Sequence, residues 1–174
     1  MPKVIVLFFG AESPAVTLAE AAADGAKEVR FSEVAVRSGG PHQATTARRH
    51  ARLESAAHIR DFDGVILACP AAGGIPSELE ALLGELERSA AGAFTNTVFG
   101  VAGGENTTLA AQVLRLGGIL VSEATGVADP ELRAKRLGAR VATVVGWVRH
   151  ALSHEHGHQH NDRAERAETD RHHH

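Results

Sequence analysis

Lys3 to Phe9 reads KVIVLFF, an unbroken apolar and β-branched run. A strand with one face in water alternates in polarity, so a continuous run belongs in a parallel sheet covered on both sides. Such a sheet needs crossover helices, and the chain supplies them in turn. Ser13-Pro14 has the form of an N-cap followed by proline at the first helical position, and the alanine-rich stretch from Pro14 to Glu28 has high helix propensity. Phe31 to Arg37 alternates imperfectly, as an edge strand does. Ser38 to Thr46 is a Gly/Pro/Thr-rich loop, and Ala47 to Ile59 reads as a polar helix.

From Asp63 the pattern repeats. Gly64 to Cys69 is a short buried strand, and the helix after the loop Pro70-Ala-Ala-Gly-Gly-Ile-Pro76 carries Leu79, Leu82, Leu83 and Leu86 as one apolar stripe. Thr95 to Val101 is a strand with a glycine-rich exit, Thr107 to Leu116 a helix and Gly118 to Ser122 a fifth strand. The last helix, from about Pro130 to Leu152, presents Leu137, Val141, Val144, Val145 and Val148 on one face. This alternation predicts an α/β fold, a five-stranded doubly wound parallel sheet with helices on both faces. Right-handed crossovers make the flavodoxin-like order 2-1-3-4-5 its compact form.

A chain of 174 residues suits one such domain, placed at residues 1–152. Residues 153–174 hold seven of the eleven histidines and no apolar periodicity, and read as a disordered His-rich tail. No apolar run approaches membrane-spanning length, and Met-Pro-Lys leads straight into the first strand without the form of a secretory signal. The single cysteine, Cys69, excludes an internal disulfide framework and fits a reducing cytoplasm. A net charge of −3, with six Phe, one Trp and no Tyr, offers little to nucleic acid.

In a doubly wound sheet, ligands bind beyond the carboxyl ends of the strands, where strand order reverses. Three loops meet there: Gly10 to Thr17, Pro70 to Pro76, and Ala102 to Thr108. Each is rich in small residues and runs into a helix N-terminus, whose free N–H groups suit an anion such as a phosphate. The candidate binding residues are Gly10, Ser13 and Thr17 in the first loop and Pro70, Ala71, Gly73 and Gly74 in the second. The third supplies Ala102, Gly103, Gly104, Thr107 and Thr108, with Asn106 as the helix cap. Capping and chain reversal account for the same residue types.

The stretch Ala102-Gly-Gly-Glu-Asn-Thr-Thr-Leu109 resembles the third flavin-side loop of the flavodoxin-like NAD(P)H:quinone oxidoreductases of the WrbA type and the wider NADPH-dependent FMN reductase family. Thr17 to Ala26, Asp61 to Pro70 and Gly138 to Ala142 support the resemblance, which covers residues 3 to about 152. It implies an FMN-dependent enzyme that passes hydride from NAD(P)H to a small-molecule quinone-type acceptor and assembles as a homo-oligomer. FMN phosphate would lie on the first loop and the ring at the second and third. No residue stands out as a catalytic acid or base.

The departures from that pattern favour a different class, a domain that has lost FMN and serves as a binding or assembly module. The first loop keeps only Ser13 and Thr17 as hydroxyl donors, and Pro14 removes an N–H. Glu12 brings a carboxylate, which about 4 Å from a phosphate costs roughly 4 kcal/mol per unit charge at a surface-like dielectric. The second loop has no aromatic to stack on a flavin, and the segment after strand five is cut to Ser122 to Asp129.

Elsewhere, Cys69 reads as a small core residue rather than a redox thiol, and Trp147 as a packing or oligomer contact. His42, His50 and His58 read as a solvated polar face. In the tail, His154, His156, His158 and His160 stand at alternate positions, on one side if the chain is extended, and suit weak divalent metal binding.

Overall fold

In the structure, a computed structural model, residues 1–9, 13–40, 50–69, 74–88, 92–104, 107–123 and 125–169 are described, except for the side chains of Ser13 and of 155–169. Five strands, β1 (Lys3–Phe8), β2 (Glu33–Ser38), β3 (Gly64–Ala68), β4 (Val98–Ala102) and β5 (Ile119–Val121), form one parallel sheet in the order β2-β1-β3-β4-β5. Helix α1 (Ser13–Glu28) follows β1, α2 (Ser77–Glu87) follows β3, α3 (Thr107–Arg115) follows β4 and α4 (Pro130–Thr169) follows β5.

The unbroken apolar run of β1 serves two cores at once. Val4, Val6 and Phe8 point to the α1/α4 side, and Ile5, Leu7 and Phe9 to the α2/α3 side, all buried. On the first side α4 presses close to the sheet because β3 and β4 carry glycines beneath it. A Cβ at Gly64 would lie 2.9 Å from Val145, and one at Gly100 2.9 Å from Val141. Helices α1 and α4 also meet backbone to backbone. A Cβ on Gly25 would reach the Lys135 carbonyl oxygen at 1.8 Å, and one on Gly138 the Ala22 oxygen at 1.8 Å. On the second side the predicted stripe Leu79, Leu82, Leu83 and Leu86 is buried.

Two stretches differ from the sequence reading. The helix expected over Ala47 to Ile59 does not form across the described part of that segment. The Ser38 N–H donates to the Ala51 carbonyl (3.0 Å) and the Leu53 N–H to the Ser38 carbonyl (2.8 Å), so the chain runs extended beside the open edge of β2. Pairing with an unsatisfied strand edge outweighs the helix propensity of a segment with few apolar residues. Only Ala56–Asp61 winds, as a 3₁₀ helix that buries Ala56 and Ile59. At the other end, α4 runs on to Thr169, past the Leu152 boundary set by its apolar face. The Ala, Glu, Gln and Arg of the extension suit a helix without an apolar stripe.

Candidate functional site

The sheet register sets Phe8 opposite Ala68 and Ala68 opposite Ala102, so β1, β3 and β4 end at one level. Beyond β4 the chain turns through Gly103 (φ 122°) and Gly104 (φ 121°), conformations that side-chain-bearing residues rarely adopt. Gly103 has a second constraint. A Cβ there would lie 2.0 Å from the Cys69 carbonyl oxygen, so the exit of β4 can cross that of β3 only as glycine.

A cleft of about 690 Å³ opens beside this turn, at the carboxyl ends of β4 and β5 and between the first turns of α3 and α4. Its size lies within the range of small-molecule sites. Val101, Ala110, Leu120 and Val127 line it with apolar surface, and Gly104, Thr107, Ser122 and Thr125 contribute small and hydroxylic groups.

Glu123 and Arg133 close one side. The Gly103 N–H donates to Glu123 Oε1 at 3.0 Å, and Arg133 Nε donates to Glu123 Oε2 at 3.2 Å. The pair is largely buried. Arg133 Nη1 also donates to the carbonyls of Val127 (2.8 Å) and Ala128 (3.2 Å), tying down the β5–α4 connection. Asp129 caps α4, accepting the Glu131 N–H at 3.0 Å, with Pro130 in the first position as the sequence leads one to expect.

The expected site residues are only partly brought together. Gly104 and Thr107 line the cleft; Thr108 is exposed in the same turn of α3, and Ala102 is buried beneath. Gly103 is committed to β3 and Glu123. Thr17 is half-buried within α1, and Gly74 (φ 79°) meets nothing within 4 Å of a notional Cβ. Gly10, Pro70, Ala71 and Gly73, with Glu12, Glu105, Asn106 and His42, lie outside the described residues, as does the Ser13 side chain. Glu123, Arg133, Ser122 and Thr125 were not anticipated. One signal was available: an arginine in the first turn of α4 sits at the positive end of the helix, a poor place for a cation without a carboxylate partner.

Of the other candidates, Cys69 is buried and burial raises its thiol pKa, which fits an unreactive core position. His50 is not a solvated surface group: its Nε2 lies 2.9 Å from Glu20 Oε1 and its ring packs edge-on to Phe8. The helical backbone through 160 also removes the extended geometry that aligned His154, His156, His158 and His160, because helical residues two apart do not share a face. Among the described residues no group of three or more His, Cys, Asp or Glu is placed to hold a metal, and no helix is long and apolar enough to cross a membrane.

No protein-family profile and no curated protein matches the chain. Solved structures do. A short-chain flavodoxin associated with a non-canonical PDU bacterial microcompartment is 17% identical with a TM-score of 0.57, covering 83% of this chain and 99% of that one. A diflavin flavoprotein A3 from Nostoc sp. is 17% identical with a TM-score of 0.55, covering 88% and 99%. A flavodoxin from the domain Archaea is 16% identical with a TM-score of 0.53, covering 83% and 99%. At these identities the likeness concerns architecture, and together with the strand order it establishes that the chain has the flavodoxin-like fold.

Proposed function

We propose that the protein is an FMN-dependent NAD(P)H oxidoreductase acting on quinone-type acceptors. The observation that carries this reading is the cleft at the carboxyl edge of the sheet, beside the N-terminus of α3, where the Gly-Gly-Glu-Asn-Thr-Thr stretch ends. FMN, when bound, supplies two-electron hydride chemistry, so the chain need only bind, orient and exclude water. Gly104 leaves room for close approach, Thr107, Ser122 and Thr125 offer hydroxyls, and the apolar wall suits a flat ring. These residues fit such a group.

One observation favours the alternative of a flavin-free binding or assembly module. The Gly103 N–H, which an unoccupied turn would offer to a ligand, is already held by Glu123. Titration with FMN separates the two readings. Binding followed by NADH or NADPH oxidation with a quinone supports the enzyme; no binding leaves the module.

A homo-oligomer belongs to the same proposal. Trp147 is 68% exposed on α4 beside a hollow where Leu120, Ala139 and Val144 stand among Ser122, Arg140 and Thr143, a mixed surface that a second copy would cover through the indole. As the sole tryptophan it reports directly: burial in an oligomer blue-shifts its emission as concentration rises, and a concentration-independent emission with monomeric sedimentation contradicts assembly. A lone buried thiol suits the reducing cytoplasm proposed as its compartment.

A further inference from the structure

We infer that His150 and His154 on α4 form a two-imidazole site for a divalent transition-metal ion, away from the cleft. The residues are one helical turn apart, so their side chains rise on the same face. Their Nε2 atoms converge to 3.2 Å, with ring centroids 4.5 Å apart and planes at 82°. Metal–imidazole bonds of about 2.0–2.1 Å that span such a separation subtend roughly 100° at the metal, between the tetrahedral and octahedral values. The separation of the two Nε2 atoms therefore suits a metal ion held between them.

Two further features support the site. Both histidines are exposed, so an ion with its remaining waters can reach them. The backbone of that turn is also held in place: Arg149 Nη1 donates to both Asp63 carboxylate oxygens at 2.9 Å, tying α4 to the start of β3, and Ser153 Oγ donates to the His150 carbonyl at 2.7 Å. Fixing the helix lowers the ordering cost of chelation. In the sequence His158 stands at the same four-residue spacing after His154. Imidazole donors favour copper over nickel and zinc.

The test must separate this pair from the remaining tail histidines. In full-length protein, His156, His158, His160, His172, His173 and His174 are changed to Gln, and Ni²⁺ binding is followed by titration calorimetry. One Ni²⁺ per chain is expected to bind that variant and raise its melting temperature. Adding His150→Gln is expected to weaken binding by at least about tenfold, since even losing a residue that only orients a ligand costs roughly 10–100-fold. It should also reduce the thermal shift at a fixed Ni²⁺ concentration. An absence of saturable binding in the tail variant, or an affinity unchanged by His150→Gln, overturns the site.

Discussion

Glu123 bridges Gly103 and Arg133, accepting the glycine N–H on one oxygen at 3.0 Å and the guanidinium on the other at 3.2 Å. The bond joins the turn after β4 to the start of α4, and so fixes the two sides of the cleft relative to each other. Charge-assisted hydrogen bonds between partly buried groups are worth about 1.5–3 kcal/mol each. Glu123→Gln keeps the shape and removes the charge. It is expected to lower unfolding stability by about 1–3 kcal/mol in urea denaturation, and a change below a few tenths of a kcal/mol would show that the bridge is not structural.

The contact between α1 and α4 makes opposite predictions for two glycines of one helix. Gly138→Ala places a Cβ against the Ala22 carbonyl oxygen, where only a backbone shift can make room. The overpacking cost, about 1–3 kcal/mol or more, exceeds the roughly 1 kcal/mol that alanine gains in helix propensity. Gly146→Ala meets nothing within 4 Å and keeps the propensity gain. Denaturant unfolding should therefore show Gly138→Ala destabilised and Gly146→Ala stabilised by about 0.5–1 kcal/mol; the same sign for both would contradict the close crossing.

Burial raises the pKa of Cys69 in the folded state. In the unfolded chain the thiol ionises at its ordinary value, so the unfolded state gains stability as pH passes that value while the buried thiol stays neutral. The Cys69 contribution is thus fully present below the unfolded thiol pKa and is lost as pH rises through it towards the folded one. Cys69→Ala is expected to flatten that alkaline decline, and the native thiol to react with an aromatic disulfide reagent far more slowly than the unfolded one. Equal rates in the two states would mean that Cys69 is accessible.

The elements that the sequence made legible are those whose neighbours are set by local pattern. The double-faced burial of Val4 to Phe9, the leucine stripe of α2 and the start of α4 at Pro130 each follow from residue type and spacing. The segment before β3 did not, because it is held by two hydrogen bonds across the sheet edge, Ser38 N–H to the Ala51 carbonyl and Leu53 N–H to the Ser38 carbonyl, which no local period announces. Of the cleft lining, Gly104 and Thr107 were legible for the general reason that βα turns gather at one edge. The Glu123 partnership was not, since it pairs a residue after β5 with a backbone N–H twenty positions earlier. The two roles of Gly103 were likewise hidden: the sequence shows a glycine, and only the packing against Cys69 shows why no other residue fits.

The most direct test of the account is a titration of the full-length protein with FMN in the presence of a chelator, followed by flavin fluorescence. The chelator keeps metal on the α4 histidines from affecting the signal. Saturable quenching is expected, with a dissociation constant of about micromolar or tighter, weakened when Thr107 is replaced by Val. Fluorescence that stays unquenched well above that concentration would contradict the flavoenzyme, leaving a flavodoxin-like scaffold whose cleft serves another ligand.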